Sequence, residues 1–134
     1  VSKAPALIQA FAGCRPVAWG RPRASKHGGF FTDKRHEEGA RVQALLLAPH
    51  TPRKPLAGPL LLDLSYTMPR RQKDPQPAGS FHVGRPDLDN LVKLTMDVLT
   101  RLQWWEDDAQ VAAISARKAY GDEPGVWVVL SGAP

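Results

Sequence analysis

RPDLDNLVKLTMDVLTRL, residues 85–102, carries the periodicity from which the rest of the chain can be placed. Leu88, Leu91, Val92, Thr95, Val98, Leu99 and Leu102 recur at intervals of three and four. They form one stripe of an α-helix spanning about 87–102. Pro86 suits a helix start and biases Arg85 away from helical backbone, so Asp87 and Asp89 fall at the helix entrance. An aspartate there has an ordinary use. Its carboxylate accepts an orphan backbone N–H and meets the positive end of the helix dipole, worth about 1 kcal/mol. One aspartate meets that need, and the second is left over. Residues two apart converge only if the helix begins around them, because within a helix they point to nearly opposite sides. Capping and chemistry both stay open on this stretch alone. Lys93 stands four residues after Asp89 and four before Asp97, where a surface ion pair is its plain reading.

Outward from this helix, LLLDLSYT (60–67) is short, apolar and bounded by Pro59 and the MPRRQKDPQPAGS stretch, which predicts a buried strand followed by a loop. FAGCRPVAW (11–19) suits a strand that Pro16 confines to an edge or a bulge. RHEEGARVQALLLA (35–48) has an acidic first turn with Val42, Leu45 and Leu46 behind it, as a helix would, with Gly39 weakening its first half. AQVAAISARKAY (109–120) and GVWVVL (125–130), joined by GDEP, read as the two strands of a β-hairpin. The expected fold is a compact two-layer α/β domain with a mixed sheet, interleaved helices and a C-terminal hairpin, occupying residues 1–134 as a single domain. Trp104, Trp105 and GVWVVL are expected in the core.

The chain has 134 residues and a net charge of +5. The positive excess is clustered at RPRASKH (21–27), RKP (53–55) and RRQK (70–73). Clustered Lys and Arg release counterions from a phosphate backbone, which makes nucleic acid the first partner to consider; solvated loops that keep the protein soluble are the rival. Arg21, Arg23 and Lys26, with His27 beside them, are candidates for phosphate contacts. Arg70, Arg71, Lys73 and Lys118 join them. No apolar run approaches the roughly 20 residues that span a bilayer, and VSKAPALIQAF does not read as a secretory signal. Cys14 is the only cysteine, which excludes an internal disulfide and a cysteine-rich zinc site. A reducing, cytoplasmic setting is expected.

A second acidic cluster, WWEDDAQ (104–110), stands where the helix has ended and a strand begins. Its plain reading is an acidic turn. Carboxylates brought together from two segments repel one another unless a cation neutralises them, and Mg²⁺ and Mn²⁺ take oxygen ligands. A metal site beside a basic surface would suit phosphodiester cleavage, with a lysine steadying the developing charge. His82, beside a proline turn, is read as structural.

RPDLDNLVKLTMDVL, then WWEDDAQV, then ARKAYGDEPGVWV, resembles the RusA family of Holliday-junction resolvases, in which D-x-D-N-x-x-K is followed at a set distance by D-D-x-Q. PVAWGRPR, FFTDKR and GPLLLDLSYTMPR extend the resemblance over most of the chain. It implies a small homodimeric endodeoxyribonuclease of bacterial, prophage or phage origin. Such an enzyme uses Mg²⁺, with Mn²⁺ as a substitute, to nick two opposed strands of a four-way DNA junction symmetrically, in recombination and repair. The resemblance places the metal-binding acids on Asp87, Asp89 and Asp108, with Asp107 as their neighbour, and the catalytic lysine on Lys93. In an extended segment Asp107 and Asp108 would face opposite ways, with Gln110 on the face of Asp108. Two alternatives accompany this reading: a DNA-binding protein of the same fold that does not cut, and a nuclease for other branched DNA such as flaps or forks.

Overall fold

Along LLLDLSYTMP the side chains of Leu60, Leu62, Leu64, Tyr66 and Met68 are buried and those between them are not, the period-two signature of a strand with one face on a core. The computed structural model describes residues 8–20, 23, 24, 26, 28, 30, 31 and 34–133. Strands are β1 (Ile8–Ala12), β2 (Arg23–Ala24), β3 (Phe30–Phe31), β4 (Leu60–Pro69), β5 (Val111–Gly121) and β6 (Gly125–Gly132). Helices are α1 (Lys34–Leu47) and α2 (Leu88–Arg101). The main sheet has the order β1-β6-β4-β5, while β2 and β3 pair separately. β4 runs parallel to β5 and antiparallel to β6, so the sheet is mixed, as expected. Two parallel neighbours need a crossover, and α2 supplies it.

The turn at 122–124 joins two consecutive antiparallel strands, but the hydrogen-bonding partner of each is β4, which lies between them. The close pairing expected of a hairpin is thus replaced by a three-strand arrangement. β4 pairs with β5 over ten register positions and with β6 over eight, and that non-local pairing prevails over the short turn. The strand expected over 11–19 is instead β1 at Ile8–Ala12, an edge strand that ends before Pro16, and residues 13–20 leave the sheet.

Both helices pack on the buried face of the sheet. α2 buries Leu91, Leu94, Thr95, Val98 and Leu99, close to the expected stripe. α1 corrects its expectation: its buried stripe is His36, Ala40, Gln43 and Leu47, while Leu45 is 64% exposed and Leu46 faces outward. The spacing is helical, but two of the four buried residues are polar. Gln43 is accommodated because the Thr95 hydroxyl donates to its Oε1 (3.0 Å). The Tyr66 hydroxyl in turn donates to Thr95 Oγ1 (2.8 Å), shared with the Leu91 carbonyl at 2.9 Å. This chain ties β4, α2 and α1 together, and burial pushes the Tyr66 hydroxyl pKa well up. Trp104 and Trp105 are fully buried, with ring N–H groups donating to Thr51 and Thr100 hydroxyls. Among the described residues, no helix is long and apolar enough to cross a membrane.

Candidate active site

Asp87 is the N-cap residue of α2, with extended backbone (φ −69°, ψ 142°), and its carbonyl accepts the Leu91 N–H (3.1 Å). Its side chain makes no capping hydrogen bond. Among the described residues, the Asp89 carboxylate accepts only the N–H of its neighbour Asn90 (2.9 Å). The capping role open to this pair in the sequence is therefore not taken by Asp87, and its carboxylate faces solvent.

The approach to Asp87 is held from the sheet. The Lys118 ammonium donates to the carbonyls of Gly84 (2.5 Å) and Pro86 (2.7 Å), anchoring the turn that contains the cis Arg85–Pro86 bond. Two of the three ammonium donors of Lys118, a DNA-contact candidate from the sequence, are thus engaged by backbone oxygens. Arg117, one residue earlier and on the other face, lies 3.6 Å from Asp63. The His82 ring packs on Tyr120 with centroids 4.9 Å apart, in keeping with a structural role. Burial lowers its pKa, and the positive charge of Lys118 lowers it further.

The 106–110 turn is built differently. Asp107 caps a single 3-10 turn, its carboxylate accepting the Ala109 N–H (2.9 Å). Gln110 closes the box: its Oε1 accepts the N–H groups of Glu106 and Asp107 (both 3.0 Å), and its Nε2 donates to the carbonyls of Leu56 (2.8 Å) and Gly58 (3.0 Å). The segment is helical rather than extended at Asp108, so the expected alternation of faces is replaced by this box. Asp107 is spent on structure. The Asp108 carbonyl accepts the Val111 N–H, while its carboxylate makes no hydrogen bond or ion pair among the described residues.

Asp89, Lys93 and Asp108 line one open cavity of about 220 Å³ with Val92, Met96 and Asp97. Asp87 does not line it, and no three acidic, histidine or cysteine side chains are gathered closely enough to hold a metal ion among the described residues. Asp89 from α2 and Asp108 from the 106–110 turn thus share the cavity, with Asp87 outside it. Asp97, considered from sequence only as a partner of Lys93, lies 2.8 Å from Arg101. The Lys93 ammonium sits 4.8 Å from the centroid of the Trp19 ring. A larger cavity of about 710 Å³ adjoins Trp19 and Pro86, lined also by Arg15, Arg35 and His36.

Of the basic candidates, Arg70 pairs with Asp122, and Arg71 donates to the Tyr120 hydroxyl at 3.5 Å. Lys26 and Lys73 are exposed. Arg21, His27 and the side chain of Arg23 lie outside the described residues. Sequence reasoning missed the role of Gln110 in this turn and the contact of Trp19 with Lys93. Gln110 was visible as the last letter of D-D-x-Q, three residues after an aspartate, the spacing of a capping box. Trp19 had no spacing signal, because it meets Lys93 only through tertiary packing.

The family model for Endodeoxyribonuclease RusA matches residues 14–131. An uncharacterized protein, YqaN, of Bacillus subtilis (strain 168) is 30% identical over 127 residues, covering 86% of this chain and 89% of that protein. A crossover junction endodeoxyribonuclease rusA of Lactococcus phage r1t is 31% identical over 101 residues, covering 75% of this chain and 76% of the phage protein.

Proposed function

The chain belongs to the RusA endodeoxyribonuclease family, and from that premise we propose that it resolves four-way DNA junctions by paired, symmetric, Mg²⁺-dependent nicks. The observation that carries this reading is the shared cavity of Asp89, Lys93 and Asp108, reached by acids that neither helix start consumes as caps. The donor chemistry suits Mg²⁺, which is held through one or two carboxylates and leaves its other positions to water and substrate phosphate. Asp89 and Asp108 would hold it, and Asp87, outside the cavity at the helix entrance, is the third acid of the family motif; Mn²⁺ would substitute. Bound there, the cation would neutralise the carboxylates and polarise the scissile phosphate.

The chain's own groups account for the rest. The carboxylates orient the nucleophile's side of the phosphate, and Lys93 places a positive charge where negative charge develops on the phosphate oxygens. Arg21, Arg23, Lys26, Arg70, Arg71 and Lys73 supply sequence-independent phosphate contacts. Two nicks on opposed strands require two centres, which a homodimer related by a two-fold axis provides. The test is cleavage of a synthetic four-way junction with Mg²⁺ or Mn²⁺, with linear duplex and Asp89→Asn as controls. Paired symmetric nicks from the natural sequence alone are expected. Junction binding with no cutting under either metal would replace this reading with a non-catalytic DNA-binding role.

A further inference from the structure

We infer that Trp19 is a positioning residue for Lys93, holding its ammonium away from the neighbouring carboxylates and toward the cavity; this rests on the role proposed for Lys93. Lys93 has Asp89 four residues before it and Asp97 four residues after it, both lining the same cavity. A lysine so flanked on a helix ordinarily pairs with one of them. Here it pairs with neither among the described residues, and its contact is the face of the Trp19 indole, 4.8 Å from the centroid. Indole has the strongest aromatic attraction for a cation, and it takes up no proton and competes for no metal.

The ring is itself held from behind. The His36 imidazole, nearly buried in α1, lies 4.0 Å from the indole centroid to centroid at an interplanar tilt of 55°. His36 Nδ1 accepts the Gly20 N–H (2.9 Å), which locks the imidazole to the residue that follows Trp19. The Trp19 N–H donates to the Asn90 carbonyl (2.9 Å), one turn before Lys93 on the same helix. Two residues back, Val17 rests against Gly39, where an added Cβ would lie 2.6 Å from the valine Cβ. Glycine at this point of α1 is what lets the 14–20 segment come close enough to present Trp19. His36, Trp19 and Lys93 form a stack from the interior of α1 to the cavity wall. A long, flexible side chain that would otherwise wander between two carboxylates is given one resting place, so both acids stay open to a cation and the ammonium stays open to phosphate.

The full chain is compared with Trp19→Leu, Trp19→Phe and Lys93→Ala by three measurements: the proton shift of the Lys93 ε-methylene, the Kd for a four-way junction without divalent metal, and single-turnover cleavage with Mg²⁺. The expected result is an upfield ring-current shift that Trp19→Leu abolishes and Trp19→Phe partly keeps. Cleavage by Trp19→Leu should fall about tenfold with junction Kd unchanged, and Trp19→Phe should recover most of it. An unshifted Lys93 methylene, or full cleavage by Trp19→Leu where Lys93→Ala is inactive, would overturn the inference. So would equal losses in Trp19→Leu and Trp19→Phe that follow a fall in Tm. Wild-type cleavage by Lys93→Ala would instead overturn the role of Lys93 itself, while a shifted methylene would still report the stack.

Discussion

Asp87 and Asp107 stand in the same formal place, the residue before a helical turn, yet their carboxylates meet different ends. Asp107 accepts a backbone N–H and shares a capping box with Gln110, and Asp87 caps nothing although the helix behind it is far longer. The turn at 106–110 needs its cap because it is a single turn between buried tryptophans and a sheet strand, with little packing of its own. α2 is held by its buried stripe and by Lys118 on the turn before it, so its entrance can leave carboxylates unspent. Where packing supplies stability, acids are released for other work.

The largest effect that would break this contrast lies at Asp87. Asp87→Asn is expected to lower junction cleavage by about 100-fold or more while Tm hardly moves, since the side chain has no capping hydrogen bond to lose. A large fall in Tm would make Asp87 structural after all. Gln110→Ala removes four hydrogen bonds at once, and we expect a loss of about 2–3 kcal/mol in denaturant unfolding, with cleavage down about tenfold as the turn carrying Asp108 loosens. Unchanged stability would show that water replaces the box. Asp107→Ala should cost about 1 kcal/mol, the worth of one cap, and leave most of the cleavage rate.

The smallest effect concerns His82, beside the Asp87 turn. Its folded pKa is lowered, by burial first and then by Lys118, so below the ordinary value of 6.5 the unfolded chain binds a proton more readily than the folded one. Stability contributed by neutral His82 is therefore present above that pH and is lost on acidification below it. His82→Gln should flatten that part of a Tm-against-pH curve slightly, and an identical curve would assign the slope to other groups.

Much of this was legible in local pattern. The stripe of α2 and the alternation of β4 are properties of consecutive residues, and both were read to within a few positions. The buried face of α1 was not, because His36 and Gln43 occupy it through partners on distant segments. β4 lies between β5 and β6 for the same kind of reason: strand pairing is decided by matching faces across the chain, and the short 122–124 turn carried no sign of it. At the site, motif spacing pointed to Asp89, Lys93 and Asp108, which share a cavity. It also suggested a tighter gathering of acids: Asp87 does not line that cavity, and among the described residues no three acidic side chains lie close enough together to hold a metal ion. Trp19 was out of reach, since its contacts span three separate segments.

The most direct test sets the two adjacent acids of the 106–110 turn side by side: Asp107→Asn and Asp108→Asn, assayed together for binding and Mg²⁺-dependent cleavage of one four-way junction. Asp107→Asn should cut at close to the wild-type rate, because asparagine can keep the cap, while Asp108→Asn should bind the junction at least as well as wild type and cut it not at all. Full cleavage by Asp108→Asn, or loss confined to Asp107→Asn, would contradict the division of these acids into one that builds the turn and one that serves the site.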